Sequence, residues 1–134
     1  MASASTRRSG KYETEVEIRS HRLTADEPAS VEGGGDAGPS PTELLAASLA
    51  SCTAITMELY ANHKGWELGA VEVDVDWPNA IEGGTKLSVD IRVPAELSDE
   101  QRERLLVVAG RCPVHRLLEN TDVEISDSLE LLQS

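Results

Sequence analysis

Fourteen consecutive residues, Leu44 to Met57, carry no charged side chain, and signals on either side make them part of one long helix. Ser40-Pro41-Thr42-Glu43 reads as a capping box. Ser40 is the N-cap, Pro41 occupies the first helical position, and Glu43 stands where it can bond back to the cap. Gly65 follows Lys64 and reads as the C-terminal stop. Over its first four turns the helix is apolar or small nearly all round. A helix of that kind is buried on every side. A 134-residue chain buries roughly two-thirds of its unfolded surface, so such a helix must be wrapped by sheet, by other helices or by a second subunit. The uncharged run falls short of the roughly 20 apolar residues of a membrane span and contains Ser48, Ser51, Cys52, Thr53 and Thr56. No membrane partner is expected.

The flanking sequence switches to a period of two. Tyr12, Thr14, Val16 and Ile18 alternate with Glu13, Glu15 and Glu17, predicting a half-buried strand with residues 21–25 as its hairpin partner. Val71, Val73, Val75 and Trp77 alternate with Glu72, Asp74 and Asp76. Leu87, Val89, Ile91 and Val93 alternate with Ser88, Asp90 and Arg92. The Pro78, Asn79, Gly83 and Gly84 between these two runs suit a hairpin. Ser98-Asp99-Glu100-Gln101 is a second capping box, opening a helix to about Ala109. Cys112 and Pro113 open a short third helix as N-cap and first residue. Val123, Ile125, Leu129 and Leu131 predict a closing strand. Residues 1–10 read as a frayed tail, and the Gly- and Pro-rich stretch from Asp26 to Ser40 reads as a long loop, functional or mobile.

The charge follows the same pattern. The formal net charge is −12, and many of the acids are the polar halves of the strand alternations, a solvated sheet face that resists edge pairing. The basic footprint that phosphate backbones require is missing, so no nucleic-acid partner is expected. Two cysteines are too few for a disulfide scaffold. With no apolar leader after MASASTRRSG, a cytoplasmic protein with reduced thiols is the expectation.

Cys112, as an N-cap, faces unsatisfied backbone N–H groups and the positive end of a helix dipole, which favour a thiolate. Arg111, Arg116 and His115 are its sequence neighbours. Cys52 lies mid-helix, where a small buried apolar thiol is the ordinary reading. Cys112 and His115 form the single tight pair of metal-ligand type, too little for a zinc site, so no metal is expected. There is no nucleophile elbow, and Gly33-Gly34-Gly35 lacks the Lys-Ser/Thr ending of a phosphate loop.

The segment GGGDAGPSPTELLAASLASCTAIT, followed by Tyr60, Lys64-Gly65-Trp66 and, sixty residues after Cys52, RCPVHRLLE, closely resembles the OsmC/Ohr superfamily, nearest to an OsmC-like branch with a C-terminal CPVH motif. The resemblance runs from about His21 to the end. It implies an α+β fold: a single domain over residues 11–134, an intertwined homodimer with long central helices and outer antiparallel sheets, and sites at the subunit interface. It also implies thiol-dependent reduction of hydroperoxides, organic ones preferentially, without metal, flavin or haem. Carried over, Cys52 is the peroxidatic thiol and Cys112 the resolving thiol, and a lipoyl or other dithiol reduces the resulting disulfide.

A mid-helix Cys52 has no dipole to help it ionise, so the resemblance requires an arginine. Arg22 is the preferred candidate, ahead of Arg19. The family's partner glutamate directly follows the motif proline, where this chain has Thr42. Glu43 comes one residue later, about 180° around the helix from Cys52, whereas Thr42 is about 80° away. Glu43 nonetheless remains a catalytic candidate. Asp26 or Glu27 could supply the carboxylate instead, and His21 and His115 are further polar candidates for the pocket. A non-enzymatic redox-sensing or ligand-binding role on the same fold is the alternative that Thr42 favours.

Overall fold

The computed structural model describes residues 1–6, 10–120 and 122–132. Three antiparallel strands open the chain: β1 (Ala2–Thr6), β2 (Thr14–Ile18) and β3 (His21–Ala25). β2 and β3 form the expected hairpin, turning through Arg19 in the left-handed region at φ 54°. β1 lies on the other edge of β2, with Ala2 opposite Ile18 and Thr6 opposite Thr14. The frayed-tail reading of residues 1–10 therefore gives way to a strand over Ala2–Thr6. The segment ASAST has no apolar alternation to announce it, and pairing with β2 orders its backbone.

The loop that follows is tied to itself. Asp26 is buried, and its carboxylate accepts the Glu27 N–H at 2.7 Å and the Ala37 N–H at 3.1 Å. Its own N–H donates to the Pro39 carbonyl at 3.1 Å. At Gly38 an added Cβ would lie 2.1 Å from the Thr24 carbonyl oxygen, so the loop can close against β3 only without a side chain there. These bonds deliver the chain to Ser40, the N-cap of α1 (Pro41–Lys64), whose capping box is complete and whose end is an αL Gly65 at φ 73°.

α1 is central, packing against β4 (Glu72–Asp76), α2 (Asp99–Ala109) and α3 (Pro113–Glu119). By length and composition it would suffice to cross a bilayer, but in this fold it is the core helix. Its buried residues are Leu49, Thr53, Met57 and Ala61, one stripe with a spacing of four. Ile55 and Leu59 remain 58% and 65% exposed. Burial on every side is thus met on one stripe within the single chain, because one two-stranded ribbon and two short helices cannot surround a 24-residue helix.

β4 pairs antiparallel with β5 (Ser88–Arg92), Glu72 opposite Arg92 and Asp76 opposite Ser88. Both strands alternate exposed and half-buried residues, so the acids of β4 face solvent as their pattern requires. Met57, Ala61, Leu68, Leu97, Leu105 and Ala109 form the core between α1, the ribbon and α2. The closing strand does not form. Residues 122–132 have no regular structure, and Ile125 and Leu129 are 79% and 88% exposed. Their alternation suits a strand, but a strand needs an edge to pair with, and this segment finds none among the described residues.

Candidate thiol site

The two cysteines stand 60 positions apart in sequence, and the chain between them is folded so that α3 returns to the middle of α1. Cys112 is fully buried, and Cys52 is partly so. Both are free thiols, close enough that each acts on the other's titration. Cys112 is the N-cap of α3, its Sγ accepting the His115 N–H at 3.3 Å.

Their acidities are ordered opposite to the N-cap argument. Burial penalises a Cys52 thiolate, but hydrogen bonds to its sulfur from the Cys112 side chain, the Val114 N–H and the Thr56 side chain outweigh that penalty, and the thiol sits below its ordinary pKa. Burial pushes the Cys112 thiol up, and its bond to Cys52 and the charge of Cys52 push it further. The backbone N–H groups of His115 and Val114 pull it down without prevailing. Full desolvation thus outweighs the favourable helix terminus. Cys52 is the more acidic of the two thiols, and Cys112 is held protonated beside it. Sequence reasoning missed Thr56 and Val114. Thr56 was discoverable, since it lies four residues after Cys52 on the same helix face. Val114 acts through its backbone, which no side-chain pattern reveals.

The remaining candidates stand elsewhere. Arg22 is exposed on β3, its guanidinium 3.8 Å from both Glu15 and Glu17. It is not among the groups acting on Cys52. Glu43 is occupied by the cap: its carboxylate accepts the Ser40 N–H at 2.9 Å, and that bond, with the one to the Ser40 side chain, holds its carboxyl below the usual value. Asp26 is held by the loop backbone. Asp26 and Glu27 line a cavity of about 430 Å³ with Tyr12, Pro41 and Leu44. His21 is exposed, its Nε2 3.4 Å from Arg19. His115 is the one polar candidate that touches a thiol, through its backbone N–H to Cys112 Sγ. Its Nδ1 lies 2.7 Å from the Glu119 carboxylate, in a geometry too poor for a hydrogen bond. With Leu49, Lys86 and Leu118 it lines a cavity of about 580 Å³. No group of three or more metal-ligating side chains occurs among the described residues.

A family model described as OsmC-like protein matches residues 33–126. The chain belongs to the OsmC-like family. Solved structures share its fold. An OsmC-like protein from Mycoplasma pneumoniae is 19% identical, with a TM-score of 0.72 over 90% of this chain and 87% of that one. An organic hydroperoxide resistance protein OsmC from Legionella pneumophila is 24% identical, with a TM-score of 0.63 over 88% and 87%. The organic hydroperoxide resistance protein OhrB of Bacillus subtilis is 19% identical, with a TM-score of 0.58 over 90% of each chain. No curated protein matches in sequence. The α+β architecture, with its long helix and antiparallel sheets, is thus that of OsmC and Ohr proteins, and both thiols of this OsmC-like chain fall inside the matched residues.

Proposed function

We propose that this OsmC-like protein reduces organic hydroperoxides through a two-thiol cycle. The observation that carries the reading is the convergence of a thiol with lowered pKa, Cys52, and a buried protonated thiol, Cys112. The Cys52 thiolate attacks the terminal peroxide oxygen. The O–O bond breaks, an alcohol leaves after taking up a proton, and Cys52 becomes a sulfenic acid. The Cys112 sulfur then displaces the sulfenic oxygen as water, forming the Cys52–Cys112 disulfide. A dithiol such as a lipoyl group reduces that disulfide by exchange and leaves as its own cyclic disulfide.

The electrostatic support for Cys52 within one chain comes from hydrogen bonds rather than from an arginine. Arg22 becomes available by leaving Glu15 and Glu17 or by approaching from a second copy. A homodimer is part of the proposal. Exposed Leu45, Ile55 and Leu59 on α1, together with the unpaired apolar residues of 122–132, form the kind of surface that a second chain covers. His115, whose backbone N–H holds Cys112 Sγ, is the polar side chain assigned to contact substrate, and Glu43 is left to the helix cap.

Cys52→Ser should abolish hydroperoxide consumption with a dithiol donor, and Cys112→Ser should accumulate a sulfenic acid at Cys52 detectable by mass spectrometry. Full activity in Cys52→Ser would end the proposal. The second reading, a redox sensor without turnover, is favoured by Thr42 in the place of the family glutamate. It predicts one-time oxidation of Cys52 and no steady-state consumption with lipoyl, thioredoxin or glutathione donors.

A further inference from the structure

Tyr60, Lys64 and Trp66 are part of the family-like sequence, yet the thiol chemistry uses none of them. They line a cavity of about 870 Å³ between the end of α1 and one face of α2, a size that suits small-molecule sites. Tyr60 begins about 12 Å along the helix beyond Cys52, so the cavity is distinct from the thiol pair.

The cavity wall is built around one ring. Arg104 Nε donates to the Tyr60 hydroxyl at 2.9 Å, and its guanidinium carbon lies 5.5 Å from the ring centroid. Lys64 Nζ lies 5.7 Å from the same centroid. Trp66 meets Tyr60 edge to face, with centroids 5.6 Å apart and planes at 72°. The bond to Tyr60 uses one of the five guanidinium donors and fixes the fork. Among the described residues neither Arg104 nor Lys64 has a carboxylate within ion-pair distance. The bond from Arg104 lowers the Tyr60 pKa, and the fields of Arg104, Lys64 and Arg111 act in the same direction. These cations stand close together on a chain of net charge −12. Val107, 51% exposed, adds apolar surface beside Trp66. Glu100 and Glu103 stand exposed on the same face of α2 and repel a second negative charge on anything bound.

We infer that this cleft is a second binding site, for a small monocarboxylate with a flat apolar body. The carboxylate is held between the free guanidinium donors of Arg104 and the Lys64 ammonium, and the body rests against Trp66 and Val107. The inference does not depend on the thiol pair being catalytic.

Titration calorimetry on the full chain tests it, with indole-3-acetate as the probe. Neutral indole-3-methanol, the dianion terephthalate and bare acetate serve as comparisons. Indole-3-acetate should bind saturably at one site per chain, and each comparison compound should bind at least about tenfold more weakly, since each lacks the single charge or the body. Arg104→Gln should weaken binding by about tenfold, as expected for loss of a bidentate carboxylate contact, and Lys64→Gln by less. Tyr60→Phe keeps the ring but frees the guanidinium, and should weaken binding severalfold while hydroperoxide consumption stays at the wild-type rate. No saturable binding, equal affinity for indole-3-methanol, or folded Arg104→Gln and Tyr60→Phe proteins that bind like wild type would each overturn the inference. If Arg104→Gln does not fold, Tyr60→Phe decides.

Discussion

The start of α1 gives a direct test of which groups serve the helix and which serve the thiol. Ser40 is 5% exposed. Its Oγ accepts the Glu43 N–H at 3.4 Å, and its own N–H donates to the Glu43 carboxylate at 2.9 Å. Ser40→Ala strips an acceptor from a buried helix terminus and should cost about 1 kcal/mol, as N-cap substitutions do. For a domain of this size that lowers the melting temperature by about 3–5 °C. Glu43→Gln is the informative partner, because the amide oxygen can still accept the Ser40 N–H while the charge is lost. The Ser40 backbone bond, followed by that of its side chain, depresses the Glu43 carboxyl pKa. A depressed folded pKa means that folding favours the charged form. The contribution is therefore present above the unfolded value of 4.5 and is lost as pH falls through the lower folded value. Wild type and Glu43→Gln should differ in urea midpoint at pH 7 and converge in acid. Hydroperoxide kinetics on the same preparations separate the two roles: loss of a catalytic acid or base costs about 10²–10⁴-fold, whereas loss of a cap charge acts on stability and leaves kcat/KM near the wild-type value. A hundredfold fall in activity with an unmoved urea midpoint would refute the capping argument.

Three further outcomes follow from the same geometry. Iodoacetamide at neutral pH should label Cys52 well before Cys112, with the Cys52 rate rising at a pH below that of an ordinary thiol, as read by peptide mass spectrometry. Preferential labelling of Cys112 would reverse the assigned order. Leu105, 1% exposed in the core with Met57 and Leu97, should cost about 2–5 kcal/mol when changed to Ala, measured by denaturant unfolding. Arg22→Gln should change stability by only about 0–1 kcal/mol, because its ion pairs are long and its side chain is 69% exposed. If Arg22 reaches Cys52 across a dimer, the same variant will slow Cys52 alkylation.

The legible parts of this chain were the ones written in neighbouring residues. Both capping boxes, the Cys112 cap, the Gly65 stop and the β2–β3 and β4–β5 hairpins all form where their patterns predict. The residues that the sequence offered for thiol chemistry, Cys52, Cys112 and His115, are ones the fold brings together. The site was not legible in its supporting charges. Within one chain Arg22 pairs with Glu15 and Glu43 with the Ser40 cap, and the groups that lower the Cys52 pKa are Cys112, Val114 and Thr56.

Sequence alone determined where α1 begins and ends, which faces of β4 and β5 meet water and which residue types could do thiol chemistry. These depend on contacts within four residues or on a simple alternation. The tertiary structure decided the rest. It made a strand of Ala2–Thr6 and withheld one from 122–132, because a strand exists only where an edge is available to bond it. It brought α3 back to α1 and so made two distant cysteines a pair. It also reversed their order of acidity, since burial is set by the whole surrounding fold and here exceeds what the α3 N-terminus supplies to Cys112. The Tyr60 cleft belongs to this second group, because Arg104 comes from another helix, 44 residues away in sequence.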